Sequence, residues 1–299
     1  MSAVSRTVLP EEDGKRLGRF ALGAMGVSHR CLSSLKNADG VLVNGVPRHA
    51  DYILHTGDVV KLELPEDEGR EDVVVVPEEG EAPVVWEDEH LLVIDKPAPL
   101  PCQCSCRQSG GTLENRLAWR YRDDPGFLFR PVNRLDKGTS GLLAAAKDRH
   151  VCQLMQARLH TEDYVREYLA VVEGRMDGEG VFELPMRKED GASIKRIVDF
   201  ERGARAVTHY RVMQPGDRYS LVRLRLETGR THQIRVHLSY SGHPIAGDFL
   251  YGSELESLPG RFALHASRIR FRHPLTGEMI ELTSSLPAPL AALLNAPTS

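Results

Sequence analysis

The chain has 299 residues, of which 41% are hydrophobic and 27% charged, and this composition excludes collagen-like, disulfide-scaffold and largely disordered classes. No apolar run approaches the roughly 18 residues of a membrane span, and the N-terminus MSAVSRTVLPEEDGKR lacks the apolar segment of a signal peptide, so we expect a cytoplasmic protein without a membrane partner. The net charge of -4 taken alone disfavours a nucleic-acid binder, for which a basic excess is typical.

The acidic charge is concentrated in one short segment. Residues 66–81 carry eight acidic residues and one Arg, a net charge of -7, whereas residues 1–65 carry +1 and residues 82–299 carry +2. A charge run of this kind, with two Gly and one Pro, is typical of a solvated linker. We therefore predict two domains, 1–65 and 83–299, joined by an acidic linker at 66–82.

Residues 1–65 begin with two predicted helices. Apolar residues recur at helical spacing from Leu17 to Met25, and the opposite face of this helix carries two arginines. Ser28 is a candidate N-cap for a second helix that stops near Gly40.

A small sheet is predicted after these helices. Val41–Val43 leads into Asn44-Gly45, which is the strongest short-range hairpin pattern. The turn His55–Asp58 then precedes a final strand, Val59–Leu64. Together these elements predict a small α/β domain.

The stretch KRLGRFALGAMGVSHRCLSSLKNADGVLVNGVPRHADYILHTGDVVKLEL resembles the S4 RNA-binding domain, and the likeness covers most of residues 14–64. Members of that family dock basic side chains of the helix pair onto RNA phosphates. The resemblance therefore implies RNA contacts by Arg16, Arg19, Arg30 and Lys36. The alternative for each is an ordinary solvated helix charge. Phosphate contacts would supply affinity and not sequence choice.

The second domain opens with APVVWEDEHLLVIDKPAPLP. Leu91–Ile94 reads as a buried strand that meets a turn, and Thr112 is predicted to cap a short helix. The thiols of Cys102, Cys104 and Cys106 between them could suggest a metal, but no second Cys or His pair follows at zinc spacing. We expect reduced loop thiols and no metal, which agrees with the odd count of five cysteines.

The segment Phe127–Lys147, FLFRPVNRLDKGTSGLLAAAK, places a carboxylate between two apolar runs. A loop between two buried strands suits chemistry, because the strands fix the loop while the loop exposes its side chains. From the local pattern alone, Asp136 reads as a turn residue, since Asp before Lys-Gly favours turns.

A strand, a tight turn and a helix are predicted further along. Leu221–Glu227 alternates apolar and charged residues, which is typical of a half-buried strand with a basic outer face. Thr231 can cap the helix that follows, and this helix is expected to end at Gly242. The arrangement brings Arg230 and Arg235 near one place.

The same region is rich in arginine and histidine. From 223 to 272 there are eight Arg, no Lys and four acidic residues, and Arg suits fork-shaped recognition of phosphate and carboxylate. His232, His237 and His243 are spaced by five and six residues, so they do not stack on one helical face as metal ligands at i, i+4 would. Packing or RNA-facing roles are expected for them.

Five segments in a fixed order carry a second resemblance. NRLDKGTSGLLAAAK, VREYLAVVEG and LETGRTHQIRVHLSYSGHPIAGDFLYG, with VIDKPAPLP before and LHASRIRFRHPLTGE after, resemble the RluA-type pseudouridine synthases of large-subunit ribosomal RNA. The likeness spans residues 84–286, and an S4-like domain ahead of it is a familiar arrangement in that family. It implies an α+β catalytic domain with a mainly antiparallel central sheet, beside the small α/β S4-like domain.

The implied reaction converts uridine to pseudouridine in structured RNA. By resemblance, Asp136 falls on the catalytic aspartate, Tyr168 on the active-site tyrosine, and Arg235 on the arginine that pairs with the aspartate. The N1 glycosidic bond breaks and the uracil is rejoined through C5, with no net change of atoms, so the resemblance implies no cofactor and no metal. A carboxylate can act as the nucleophile.

The target uridine must also be turned out of its helix. Arg134 and Asn133 beside the aspartate, and Arg230 in the later turn, are candidates for holding substrate. Asn133 stands where the family usually has His, and Arg166 stands where a Lys often precedes the tyrosine by two. Asn can still donate and accept a hydrogen bond, so activity is expected to survive.

Three functions compete at this stage. A ribosomal RNA pseudouridine synthase leads, the same chemistry on transfer RNA is a near alternative, and a non-catalytic RNA-binding or ribosome-assembly factor is a different class. The presence of Asp136, Tyr168 and Arg235 speaks against the last. RNA is the expected partner, and the chain is expected to be a monomer.

Overall fold

The N-terminal part of the chain is a small sheet covered by a helix. The structure is a computed structural model that describes residues 2–27, 32–33, 35, 40–64, 74–105, 108–124, 126–191 and 193–295. Strands β1 (Ser2–Thr7), β4 (Val59–Leu64), β2 (Val41–Val43) and β3 (Val46–Pro47) lie side by side in that order, and each neighbouring pair is antiparallel. Helix α1 (Leu17–Gly23) shares one apolar core with these strands.

Part of the secondary structure predicted for this region is confirmed. The first helix forms with Leu17, Phe20 and Met25 buried. Asn44 and Gly45 both have positive φ, 52° and 78°, as the two-residue hairpin turn requires.

Strand β1 was not predicted, because Val4 is its single buried apolar side chain. The strand forms because β4 offers a free edge, and a strand with mainly polar side chains can occupy an edge. Of the predicted second helix, Ser28, Arg30, Cys31 and Lys36 lie outside the described residues, while Leu32 and Leu35 are buried.

One long sheet organises the rest of the described residues. Its ten strands are β5 (Val84–Glu87), β6 (Leu91–Lys96), β7 (Arg130–Pro131), β8 (Ser140–Ala146), β9 (Tyr164–Glu173), β10 (Glu179–Glu183), β13 (Val207–Gln214), β14 (Tyr219–Leu226), β15 (Leu264–Arg272) and β16 (Met279–Thr283). Beside it lies a hairpin of β11 (Met186–Lys188) and β12 (Arg196–Val198). Four helices accompany the sheet in the described part: α2 (Leu113–Arg120), α3 (Arg149–Ala157), α4 (Gln233–Tyr240) and α5 (Ala288–Leu294).

The main path of the sheet runs β10-β13-β14-β9-β15-β8-β6-β5, with β16 on β15 and β7 on β8. Among the described strands, β15 and β8 form the one parallel pair, so the predicted mainly antiparallel sheet is confirmed. Strand β8 is buried at every position because its side chains alternate between two cores: Leu143 and Ala145 face one, Leu142 and Ala144 the other.

The predicted cap at Thr231 is wrong. Helix α4 begins at Gln233, and its N-cap is His232 in the left-handed conformation, with φ 59°. The buried Gln233 amide fixes the junction instead: its oxygen accepts from Thr228 Oγ1 and Arg230 N, and its nitrogen donates to Val207 O and Thr208 Oγ1. The helix ends near Gly242 as predicted.

The sequence predicts a solvated linker at 66–82, but the described part of this segment is attached to the rest of the protein. From residue 74 onward most of its side chains are exposed, but its backbone is attached to the sheet-bearing part. Asn115 Nδ2 donates to Val76 O and Arg116 Nη1 donates to Glu81 O, and Ala82 is buried. The attachment arises because α2 presents these polar side chains toward the segment.

A cleft of about 1150 Å³ separates α1 and β1 from the sheet-bearing part, and its lining includes Arg6, Arg19, Arg158 and Arg272. No helix within the described ranges is long and apolar enough to cross a membrane.

Candidate active site

Asp136 lies on a loop held at both ends by paired strands. Strand β7 pairs with the end of β8 through Arg130 and Pro131, and the chain between them forms the loop. Thr139 N donates to Asp136 O at 3.1 Å, which closes a turn. The Asp136 side chain keeps 29% of its accessible surface. The loop therefore fixes the backbone while leaving the carboxylate open to solvent.

Two buried side chains hold the backbone on either side of Asp136. Cys102 Sγ donates to Leu135 O at 3.1 Å, and Leu135 N donates back to the sulfur at 3.4 Å. On the other side, Lys96 Nζ donates to Leu100 O at 2.8 Å and lies 3.5 Å from Lys137 O. Burial lowers the pKa of Lys96 to about 8. The aspartate is thus positioned by its own loop and by the turn after β6.

Arg235 brings a positive charge to this carboxylate. It is the third residue of α4 and is 4% exposed. Its Nη1 lies 3.2 Å from Asp136 Oδ2, while Nε and Nη2 lie 2.7 and 2.8 Å from the two carboxylate oxygens of Asp248. Burial alone would lower the pKa of Arg235, but Asp248 and then Asp136 outweigh it and raise the pKa.

Two aromatic rings lie close to the Arg235 guanidinium. Its central carbon lies 4.2 Å from the ring centre of Phe262 and 4.9 Å from that of Tyr251, distances at which a cation attracts a π system. A Cβ on Gly138 would lie 2.6 Å from Phe262. The glycine of the Asp136 loop therefore permits the close approach of the ring that supports Arg235.

Tyr168 lies in the middle of β9 and is 5% exposed. It belongs to the same buried cluster as Leu135 and Phe262. Burial raises the pKa of its hydroxyl, Arg166 lowers it, and the charge of Asp136 adds to the increase. The hydroxyl therefore stays protonated at neutral pH beside the ionisable carboxylate.

Residues next to the aspartate divide into anchored and exposed ones. Asn133 Oδ1 accepts from the Tyr164 hydroxyl at 2.9 Å, so the residue in place of the family His ties the loop to β9. Arg134 is exposed. Arg166 is buried, and its guanidinium carbon lies 5.7 Å from the centre of the Tyr164 ring. The guanidinium also lies near Gly229, where an added Cβ would be 3.5 Å from Nη1 of Arg166.

The remaining RNA-contact candidates lie apart from this cluster. Arg230 is exposed and its Nε donates to Arg205 O at 3.2 Å. Arg16 and Arg19 are exposed on the N-terminal part. Arg30 and Lys36 lie outside the described residues. All of these stay predictions.

The three histidines of the arginine-rich region make packing contacts. His237 Nε2 lies 3.0 Å from Leu184 O, and His243 Nδ1 lies 3.2 Å from Glu173 O. The Tyr251 hydroxyl accepts from Arg196 N, so its proton is available to His232 Nδ1 at 2.9 Å. No group of three or more possible metal ligands occurs in the part of the chain that the structure describes.

This arrangement can carry nucleophilic chemistry. A half-open carboxylate forms an ion pair with a buried guanidinium at 3.2 Å, and a carboxylate can act as a nucleophile. A protonated phenol lies in the same cluster, where it can take part in proton transfer or stack on a planar base.

Sequence reasoning missed Asp248, Lys96 and Cys102. Asp248 follows the buried residues Ile245 and Ala246. An acidic residue close to two apolar residues, within an arginine-rich stretch, was the one local indication that it pairs with an arginine. Lys96 and Cys102 give no local clue, since both act through carbonyls of a loop more than 30 residues later.

Comparisons with known proteins identify the family. A family model described as RNA pseudouridylate synthase matches residues 90–240. The uncharacterized RNA pseudouridine synthase YjbO of Bacillus subtilis (strain 168) is 36% identical over 275 residues, covering 91% of this chain and 96% of that protein. The ribosomal large subunit pseudouridine synthase D of Haemophilus influenzae (strain ATCC 51907 / DSM 11121 / KW20 / Rd) is 35% identical, covering 98% and 94%.

A solved structure gives the same result. The human RNA pseudouridylate synthase domain containing 1 superposes with a TM-score of 0.57 at 26% identity, covering 72% of this chain and 94% of that one. The family match includes the loop of Asp136 and the strand of Tyr168 within its range. The chain therefore belongs to the RNA pseudouridylate synthase family and is an RNA pseudouridine synthase.

Proposed function

We propose that this enzyme isomerises specific uridines of large-subunit ribosomal RNA, with Asp136 as the nucleophile. The substrate named for the Haemophilus influenzae relative supports this choice of RNA. The observation that carries the assignment of the nucleophile is the ion pair of Asp136 with Arg235 at 3.2 Å, in which Asp136 is the accessible partner.

Each polar residue has a distinct role in the proposed reaction. The ionised Asp136 attacks the sugar or the base as the N1 glycosidic bond breaks, the uracil turns, and the bond re-forms through C5. Arg235 orients the carboxylate through their ion pair. Tyr168 stacks on the base, and its hydroxyl serves a proton transfer, for which the sugar C2′ proton is the candidate. C5 loses its hydrogen to water as a proton when the new bond forms, and N1 gains a proton, so atoms balance without any co-reactant.

The target uridine leaves its helix before reaction, at a cost of a few kcal/mol. Arg134 is exposed beside the nucleophile, where its guanidinium can occupy the space left by the flipped base or bind a flanking phosphate. Asn133 holds the loop through Tyr164. Arg230 extends the basic surface at the start of α4.

The N-terminal part, residues 1–65, acts as an S4-like RNA-binding domain in this proposal. Arg16 and Arg19 are exposed, and with Arg30 and Lys36 they would contact phosphates. These contacts add affinity that falls with salt and leave the choice of uridine to the catalytic domain.

Tritium release from ribosomal RNA transcribed with 5-tritiated uridine tests the chemistry. Wild-type enzyme should release tritium, Asp136→Ala should abolish release, and Asp177→Ala, at an exposed carboxylate, should leave the rate unchanged. No release by wild type contradicts the proposed substrate, and undiminished release by Asp136→Ala contradicts the assigned nucleophile.

Pseudouridine mapping of total RNA separates the candidate substrates. Cells with and without the gene should differ at positions in large-subunit ribosomal RNA, and re-expression of wild type but not of Asp136→Ala should restore them. A difference confined to transfer RNA would replace the ribosomal substrate while keeping the chemistry.

A further inference from the structure

Strand β14 carries basic side chains on the side of the sheet that faces away from the proposed active site. In the sheet register, Leu224 lies opposite Tyr168 of β9. The preceding residue, Arg223, lies opposite Leu169. Residues directly opposite each other in an antiparallel pair point to the same side of the sheet, and successive residues point to opposite sides. Because Tyr168 faces the proposed active site, Arg223 faces the reverse side.

A second arginine lies beside Arg223 on this reverse face. Arg211 of β13 is directly opposite it in the register, and both side chains are exposed. Side chains at opposite positions have Cβ atoms about 4.5 to 5.5 Å apart, and like charges placed there destabilise the sheet. Arg225 and His209 form another opposite pair on the same face. These four residues and part of the edge strand β10 line an open hollow of about 340 Å³.

The pair of Arg225 and His209 is already neutralised by carboxylates. Arg225 Nη2 lies 2.6 Å from Glu162 Oε1. His209 Nε2 lies 2.7 Å from Glu227 Oε1. This pair therefore borders the hollow and adds little free positive charge to it.

The pair of Arg211 and Arg223 keeps most of its charge. Glu179 of β10 lies 3.6 Å from Arg211 Nε, which is too long for a hydrogen bond. Arg223 forms no hydrogen bond or ion pair with any residue that the structure describes. On the β9 side, Glu167 is held by Arg268 at 2.8 Å. Two neighbouring guanidinium groups thus face solvent with one loosely placed carboxylate beside them.

We propose that Arg211 and Arg223 bind a backbone phosphate of the substrate RNA on the reverse face of the catalytic sheet. Arginine presents planar donor groups that match a phosphate, and an anion between the two guanidinium groups would offset their repulsion. RNA is the partner because the enzyme acts on RNA, whose backbone carries a negative charge at every phosphate. The inference depends neither on the ribosomal source of that RNA nor on the proposed nucleophile.

RNA that reaches this site must pass the edge of the sheet. The edge strand β10 lies three strands away from β9, which carries Tyr168, and this is about 14 Å at the usual strand spacing. The phosphate therefore belongs to a segment other than the one that enters the active site. Since phosphate contacts position an RNA without reading its bases, the site favours a large folded RNA over a short fragment of it.

Filter binding with two RNAs tests the site in the full-length enzyme. One RNA is the full transcript that contains the modified uridine, and the other is the short stem-loop around that uridine. Arg211→Gln and Arg223→Gln should each weaken binding of the full transcript by roughly five- to eightfold at 0.1 M salt, and lower the slope of log K against log salt by roughly 0.7 to 0.9, as expected for one lost phosphate contact. Both variants should bind the stem-loop with wild-type affinity.

Glu179→Gln should act in the opposite direction. It removes the carboxylate that competes with a phosphate for Arg211, so the affinity for the full transcript should increase while the affinity for the stem-loop stays the same. A general disturbance of the sheet would not produce such a gain. Unchanged or weaker binding of the full transcript by Glu179→Gln overturns the proposal.

Arg175→Gln is the matched control. Arg175 is also an exposed arginine of the sheet-bearing part, but Asp177 and Asp217 lie 3.0 and 3.5 Å from it, so this variant should bind both RNAs like wild type. Urea unfolding checks the fold of the test variant. The midpoint of Arg223→Gln should be no lower than that of wild type, since the substitution removes a repulsion, and a lower midpoint would assign Arg223 to the fold instead.

Two binding results contradict the phosphate site directly. One is wild-type affinity and salt slope for the full transcript in both arginine variants. The other is an equal loss on the stem-loop, which would place these arginines on the path to the active site. Failure of the proposed function is recognised separately, because wild-type enzyme would then release no tritium from ribosomal RNA, and the binding measurements would use the RNA that pseudouridine mapping identifies.

Discussion

At the scale of single residues, the difference in exposure between Asp136 and Arg235 supports the roles proposed for them. Asp136 keeps 29% of its side-chain surface and Arg235 keeps 4%, so an RNA base can reach the carboxylate but not the cation behind it. Burial also strengthens the pair, because charges interact more strongly where water is excluded. In the proposed reaction, the chemistry therefore takes place at the carboxylate of Asp136.

The hydroxyl of Tyr168 should matter for turnover and not for RNA binding. Tyr168→Phe should bind RNA with wild-type affinity and react at least about 100-fold more slowly, which is the low end of what a positioned proton-transfer group contributes. Single-turnover tritium release and a filter-binding assay measure the two quantities.

Tyr164→Phe is the control for this prediction. It removes a buried hydroxyl four residues earlier on the same strand, and with it the bond to Asn133. We expect it to lower stability by about 1 kcal/mol and to leave catalysis near wild type. Equal rates for wild type and Tyr168→Phe would remove the proton-transfer role.

Local sequence patterns predicted less of this site than the family likeness did. Asp136 does lie in a turn, as its neighbours Lys137 and Gly138 indicate, and nothing local distinguishes it from an ordinary turn aspartate. Its partner Arg235 is 99 residues away. Contacts over such separations arise from tertiary folding and leave no periodic pattern. Asp248 lies only 13 residues after Arg235, but it lies in a turn, which has no periodic pattern either.

At the scale of elements, the junction between β14 and α4 is the most informative. The strand alternates as predicted, with Val222 and Leu224 buried. The predicted helix start was too early because Thr231 is a favourable N-cap type, but tertiary contacts decide the start. The buried Gln233 amide instead joins the turn before the helix, at Thr228 and Arg230, to β13 at Val207 and Thr208.

Substitutions at this junction should therefore have unequal effects. Gln233→Ala leaves Val207 O and Thr208 Oγ1 without their donor inside the core, so we expect a decrease of about 2 kcal/mol or more in the free energy of unfolding. Thr231→Ala should change it by less than about 0.5 kcal/mol, since Thr231 is exposed. Urea unfolding of both variants measures the difference. A larger decrease in the free energy of unfolding for Thr231→Ala than for Gln233→Ala would support the predicted N-cap at Thr231.

At the scale of the whole molecule, the order of the strands could not be predicted. Strands β6 and β14 show their own patterns, but β15 inserts between β9 and β8, and its pairing with β8 joins His265 to Ser140 across 125 residues. Pairing of this kind depends on the packing of the whole sheet and leaves no pattern in either strand alone.

A buried histidine should make the whole fold sensitive to acid. Burial lowers the pKa of His237 from 6.5 to about 4. Between these values the unfolded chain binds the proton and the folded chain does not, so the free energy of unfolding falls as pH drops from 6.5 toward 4, by up to about 3 kcal/mol.

Replacement of His237 should flatten this dependence. His237→Gln can still donate to Leu184 O and does not titrate, so its urea midpoint should change less than that of wild type between pH 7 and pH 4.5. His243→Gln, at a partly exposed histidine, should follow the wild type. An identical pH dependence in His237→Gln would contradict the prediction.

The N-terminal arginines should act on RNA through charge alone. In the full-length enzyme, Arg16→Gln with Arg19→Gln should weaken binding and lower the slope of log K against log salt by roughly 0.7 to 0.9 for each phosphate that is no longer neutralised. Lys61→Gln is the control, because Lys61 already pairs with Glu63 on the same part of the chain. An unchanged slope in the arginine variant would contradict the proposed S4-like role.

The attachment of Val76 and Glu81 to α2 limits how far the two parts of the molecule can separate. Only ten peptide steps run from Leu64 to Val74, and fully extended they reach roughly 35 Å. An RNA strand held by the catalytic domain would therefore meet the N-terminal arginines at an effective concentration in the millimolar range. Contacts too weak to bind RNA on their own would then add measurably to the affinity of the whole enzyme.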